Sequence, residues 1–198
     1  MKRYLAIERE YGSGGMEIAL KLAEELQIPC YGHEILENAA RRIEITVQDL
    51  QAYEEHACTS VLYSVAMMGR ALTTDPDQML RDGHWVIAEQ RAIRELAARG
   101  PGIFLGHGAA QALRDEPGLL RVFVRAPIDA RRRRLTGSYG IPERDADSAI
   151  RRYDQTRSSY YSVNTATDWH SRENYDVILD SSVLGIRGCV EMLRSLMG

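Results

Sequence analysis

Glu8-Arg9-Glu10-Tyr11-Gly12-Ser13-Gly14-Gly15 directly follows a short apolar run and opens a helical one. A strand that passes through a glycine loop into a helix makes a ready site for an anion. The first helical N–H groups have no intrahelical partner, and the helix dipole adds partial positive charge there. Glycine lets the backbone close around a phosphate and turn successive amides toward it. The same glycines would also serve a purely geometric turn, so position at the head of an α/β chain is what favours phosphate. Walker A, G-x-x-x-x-G-K-[ST], is not matched, because Met16 and Glu17 stand where the lysine and hydroxyl belong. Lys21 lies a turn and a half further on and has the i,i+4 spacing of a surface pair with Glu17. The candidate phosphate-binding set is therefore Arg9, Gly12, Ser13, Gly14, Gly15, Met16 and Glu17, with arginines from elsewhere supplying the charge.

Those arginines have two sources. Arg131 to Arg134 form a run at the start of a helix, and of these Arg131 and Arg134 share a face at i,i+3. Arg151, Asp154 and Arg157 fall within one arc of a later helix. They read either as an Arg–Asp–Arg ladder on the helix surface or as an aspartate orienting two guanidiniums toward an incoming phosphate. Tyr160 and Tyr161 would stack on a base or pack against the core. His107 follows a strand end, where it faces a ligand crevice or caps the next helix. The other histidines, His33, His56, His84 and His170, lack metal-ligand spacing, and no metal site is expected.

Parallel strands alternating with helices must position these residues. The strand candidates are 4–7, 28–31, 103–105, 120–124 and 177–179, all short and apolar, as strands covered on both faces are. A helix over 16–26 carries Ile18, Leu22 and Leu26 on one stripe. Residues 33–99 read as a helical insertion, whose last helix, 78–99, places Met79, Val86, Ile93 and Ala97 on one face and stops at Gly100-Pro101. A second helical stretch, 128–162, is expected to break at Gly137 and at Gly140-Ile141-Pro142.

Composition narrows the class. The 198 residues carry a net charge of −3, against a polybasic coat for nucleic acid or membrane, and 44% hydrophobic content suits one globular domain. Lys2 and Lys21 are the only lysines. No apolar run approaches a membrane span of roughly 20 residues, and the chain is expected to be cytoplasmic. Cys30, Cys58 and Cys189 read as reduced, packed thiols, a catalytic thiol being the lesser possibility. Met67-Met68 in the insertion offers apolar surface for a second copy, so a homo-oligomer is possible.

Arg9-Glu10-Tyr11-Gly12-Ser13-Gly14-Gly15 resembles the opening of the cytidylate-kinase-like family, a branch of the P-loop nucleoside monophosphate kinases. The similarity continues through Tyr31, Leu62-Tyr63-Ser64, Ala126-Pro127, Arg131 and Arg134, Asp154-x-x-Arg157, Tyr160-Tyr161, Thr165, Trp169, Asn174-Tyr175-Asp176 and Leu184-Gly185-Ile186. It implies a three-layer αβα P-loop kinase-like fold: a five-stranded parallel sheet, a helical insertion over 33–99 for a nucleoside monophosphate, and an arginine-rich lid over 131–170. It also implies transfer of the γ-phosphoryl group of ATP, with Mg²⁺, to a nucleotide-like acceptor. Gly12 to Gly15 would hold the donor phosphates; Arg131, Arg134 and Arg157 would clamp the transferring group; Asp154 would orient the lid or touch the acceptor. His107, Arg151 and Tyr160 are the acceptor-side candidates. The chain departs from the family pattern at Met16, where relatives carry arginine, at Gly32, where they carry an acid, and at His107, where they carry arginine. These departures leave a rival expectation, a kinase-fold protein that binds a nucleotide or other phosphate ligand without turning it over.

Overall fold

The structure, a computed structural model, describes residues 3–42 and 76–198. His56, Cys58, the Leu62-Tyr63-Ser64 segment and Met67-Met68 lie outside the described residues. Strands β1 (Tyr4–Arg9), β2 (Cys30–Tyr31), β3 (Gly102–Leu105), β4 (Leu119–Arg125) and β5 (Val177–Asp180) form one parallel sheet in the order β2-β3-β1-β4-β5. Each expected strand is present; the second is shorter than its sequence suggests, and the others extend by one or two residues.

Side chains alternate between the two faces of β1, as the two-residue period of a strand requires. Leu5 and Ile7 point to the side covered by α1 (Gly15–Leu26) and the C-terminal helix, Ser181–Met197, where they meet Ile18, Leu22, Val190 and Leu193. Tyr4 and Ala6 point to the other side, where Ile93, Leu96 and Ala97 of α3 (Pro76–Ala98) and Ile35 of α2 (His33–Arg42) cover them with Phe104. Ile18, Leu22, Ile93 and Leu96 are all buried, and each contributes about 1.5–3 kcal/mol by leaving water. On the α3 stripe Ile93 and Ala97 are buried and Val86 is half-buried. A short α4 (Ala109–Ala112) follows β3.

The second helical stretch is two helices, α5 (Ile128–Ser138) and α6 (Glu143–Thr165). Gly137 does not interrupt α5, contrary to expectation: glycine in a last turn costs only about 1 kcal/mol relative to alanine. The break falls at Tyr139–Pro142, where Gly140 has φ +68° and Pro142 caps α6. The final helix, α7 (Ser181–Met197), is kinked at Gly185, whose φ of +67° turns Ile186 back toward the glycine loop. Among the described residues no helix is long and apolar enough to cross a membrane.

Candidate active site

A crevice of about 290 Å³ opens where β1 and β3 end, between α2 and α6 with Met16 at its edge; Gly12 to Gly15, Arg131 and Arg134 adjoin it through Arg9 and Met16 without lining it. In parallel α/β sheets the carboxyl ends of the strands are where ligands enter. Its walls include Glu8, Arg9, Met16, His107, Arg157 and Tyr160.

The loop is formed by close packing. A Cβ on Gly14, where φ is +84°, would stand 2.5 Å from Ile186 Cδ1, and one on Gly15 would stand 2.6 Å from Arg9 Cβ. Gly12, at φ +77°, has Arg131 and Leu135 within 3.2 Å of the same construction. Glycine at these places is thus required by the approach of α5, α7 and Arg9 as well as by backbone conformation. Ser181 Oγ donates to the Ser13 carbonyl at 2.5 Å, while Ser13 Oγ is buried with no hydrogen-bond partner.

Three arginines reach this loop, each through a main-chain carbonyl. Arg134 Nη1 donates to Gly12 O at 2.9 Å, Arg131 Nη1 to Tyr11 O at 3.4 Å and Arg157 Nη1 to Arg9 O at 3.0 Å. They differ in surroundings. Arg131 is buried, forms an ion pair with Asp154, and has Glu10 at 3.7 Å, so its charge is neutralised within the protein. Arg157 lines the crevice, and burial, then the neighbouring Arg9, lowers its guanidinium to about 10. Arg134 is half-buried over Gly14. Arg9 lies across Gly106, where a Cβ would collide with its guanidinium.

Asp154 does not form a ladder with Arg151 and Arg157: it accepts the Tyr11 amide at 2.7 Å and the Arg131 guanidinium. Tyr153, one residue earlier on α6, stacks on Tyr11 with centroids 4.2 Å apart. Arg151 lies outside the crevice lining, exposed and near Asp147, because its place on α6 faces solvent. Glu17 pairs with Lys21 at 3.1 Å on the outer face of α1, so its side chain turns from the crevice even though its amide belongs to the first helical turn. Met16 is 55% exposed and lines the crevice mouth.

His107 does not cap the next helix, a place taken by Gly108. It lines the crevice instead, at φ +57°, between Gly106 at +80° and Gly108 at +63°. A non-glycine residue in that region costs on the order of 1 kcal/mol and persists where its surroundings impose it. Tyr160 is buried yet also lines the crevice, and its hydroxyl donates to Glu89. Tyr161 packs against Tyr175.

Two carboxylates escaped the sequence reading. Glu8 is 6% exposed, accepts Trp169 Nε1–H at 3.2 Å, and is raised above its ordinary range by burial despite the nearby Arg9. Glu89 is 2% exposed and meets His107 and Tyr160. Their only sequence signal is an acid at a position of apolar periodicity, beside Ile7 in one case and Ala88 in the other.

A sequence model described as the cytidylate kinase-like family matches residues 4–183. No curated protein matches the sequence. Among solved structures, an uncharacterized protein from Eubacterium ventriosum superposes with a TM-score of 0.71 at 21% identity, covering 99% of this chain and 98% of that one. Shikimate kinase from Bacteroides thetaiotaomicron gives 0.54 at 15% identity, covering 98% and 97%. Shikimate kinase from Acinetobacter baumannii, in complex with shikimate, gives 0.53 at 14% identity, covering 100% and 93%. At these identities the likeness is one of fold, that of the P-loop kinases.

Proposed function

The chain belongs to the cytidylate kinase-like family, and from that premise we propose that it transfers the γ-phosphoryl group of ATP, with Mg²⁺, to a nucleotide-like small-molecule acceptor in the cytoplasm. One observation carries the proposal: Arg131, Arg134 and Arg157, from two different helices, all donate to carbonyls of residues 9–12, and Arg157 and Arg9 also line the adjoining crevice. Phosphoryl transfer asks chiefly for alignment and charge neutralisation, which fixed guanidiniums supply.

The residues present fit a polyphosphate. Gly14, Gly15 and Met16 begin α1, whose first-turn amides have no intrahelical partners, and Ser13 Oγ is a buried hydroxyl with no hydrogen-bond partner. Arg9, Met16 and Arg157 line the adjoining crevice. ATP would supply the transferable group and Mg²⁺ would offset its charge, the metal being held largely by phosphates and water. Arg134 and Arg157 would meet the phosphates, while Arg131 and Asp154 hold the two helices to the loop. His107 and Tyr160 would face the acceptor. Arg151 has no part in this arrangement.

A second reading, nucleotide binding without turnover, is favoured by Met16, an uncharged side chain lining the crevice where the Walker A pattern has a lysine. Incubation with ATP, Mg²⁺ and each common nucleoside mono- and diphosphate decides between them. ADP release stimulated by one acceptor supports the kinase; nucleotide-dependent thermal stabilisation with no release supports the binder.

A further inference from the structure

Glu89, His107 and Tyr160 come from three elements and meet at the crevice wall. The Glu89 side chain is 3% exposed, and a glutamate so enclosed is rarely found without partners. Its partners among the described residues include the Tyr160 hydroxyl, which donates to Oε2, and the His107 imidazole, whose Nδ1 lies 3.5 Å from Oε1. His107 and Tyr160 also meet edge to face, their rings 6.0 Å apart. The left-handed run Gly106-His107-Gly108 delivers the imidazole to that place.

We infer that Glu89 positions His107 as an anion contact in the acceptor half of the crevice, and that the contact forms only while the imidazole carries its second proton. The inference rests on the reading of the crevice as the acceptor's site. At 3.5 Å Glu89 Oε1 makes no hydrogen bond to Nδ1, but its charge favours a proton on that nearer nitrogen. Nε2 is then a lone-pair acceptor in neutral imidazole, which repels a phosphate oxygen, and an N–H donor in imidazolium, which attracts one. Glu89 is therefore a positioning residue whose charge decides what His107 offers the ligand. Among the described residues the other ionisable groups around the imidazole include Glu8 from β1, which interacts with it electrostatically, Arg9 lying over Gly106, His33 from α2, and Tyr153, Arg157, Tyr160 and Tyr161 from α6. The two arginines oppose the second proton; Glu89 and the ionised form of Glu8 favour it. The acceptor implied is one that presents a phosphate or similar anion to this wall, and its affinity falls as pH rises through the His107 titration.

The test follows imidazole resonances of the full-length protein, ¹⁵N-labelled at histidine, from pH 5 to 9 with and without inorganic phosphate. His107 is identified by the signal lost in His107→Gln. Phosphate is expected to shift His107 at pH 6 and leave it unmoved at pH 8.5. Glu89→Gln should lower the His107 midpoint and remove most of the low-pH gain. Tyr160→Phe, which removes the hydroxyl that donates to Glu89, should raise the midpoint. Equal midpoints in the wild type and Glu89→Gln, or an equal phosphate shift at both pH values, overturn the inference. If Glu89→Gln does not fold, Tyr160→Phe decides by itself, and an unraised midpoint is fatal. ATP turnover with a silent His107 refutes this inference alone; a responsive His107 without turnover refutes the kinase reading alone.

Discussion

The carboxylate of Asp154 accepts the main-chain N–H of Tyr11 at 2.7 Å, tying the middle of α6 to the entrance of the glycine loop across 143 residues of sequence. The same carboxylate takes the Arg131 guanidinium, and Arg131 in turn reaches Tyr11 O. Loop, α5 and α6 thus share one polar knot. The two helices are anchored to the loop through backbone groups, Arg134 and Arg157 donating to its carbonyls as well.

Breaking that knot should destabilise the fold. Asp154→Asn keeps an acceptor for Tyr11 but leaves the buried Arg131 charge facing Glu10 at 3.7 Å, and a loss of about 2 kcal/mol is expected in urea unfolding. The double variant Arg131→Met, Asp154→Asn, which removes the charge and keeps an acceptor for Tyr11, should recover part of it.

Met16→Arg should tighten ATP about 10-fold in calorimetric titration. The site lies in the first turn of α1 and lines the crevice mouth, where a guanidinium would form charge-assisted hydrogen bonds to phosphate. An unchanged affinity would mean that Met16 does not face the phosphates.

Gly15→Ala separates close packing from backbone strain, since Gly15 is helical. Its Cβ would press on Arg9 Cβ at 2.6 Å, so Arg9 must leave its place over Gly106. Stability should fall by about 1–2 kcal/mol, and ATP affinity should weaken with it, as read by denaturation and titration of the same preparation.

Glu8 sets a pH dependence of stability. Burial raises its carboxyl, so the folded state binds the proton more tightly than the unfolded chain does. Stability from this group is full below the ordinary value near 4.5 and is lost as pH rises through the raised one. Glu8→Gln retains an acceptor for Trp169 and should flatten the decline between pH 5 and 8 in urea midpoints.

Cys30 should be a poor nucleophile. Burial, reinforced by Glu34, raises its thiol to about 11 from the usual 9. Its thiolate fraction at pH 8 is then about 100-fold smaller than that of an ordinary thiol. Peptide-mapped alkylation of the folded protein should leave Cys30 unmodified under conditions that label it after denaturation, which also argues against thiol catalysis.

Local pattern carried most of the fold. Short apolar runs between helical stripes disclosed all five strands, and the glycine loop was legible because φ and close approach at Gly12, Gly14 and Gly15 admit little else. The arginines were found by type and spacing, but their division of labour was not. Whether Arg131 faces a ligand or Asp154 depends on how α5 and α6 lean on the loop, which no local period records. The Gly185 kink that seats Ile186 on Gly14 is likewise a tertiary fact. Glu8 and Glu89 escaped notice because a lone acid beside apolar residues ordinarily faces solvent, and only the packing of Trp169, Tyr160 and His107 around them shows otherwise.

The central claim is that the loop and its arginines transfer a phosphoryl group. Its direct measurement is recovery of label from γ-³²P ATP, with Mg²⁺, in a panel of nucleoside monophosphates, run beside Arg157→Ala. Label should accumulate in one acceptor, and Arg157→Ala should lower kcat by about 100-fold while the protein stays folded. Absence of label in every acceptor, with ATP still bound, would contradict the claim and leave a nucleotide-binding protein.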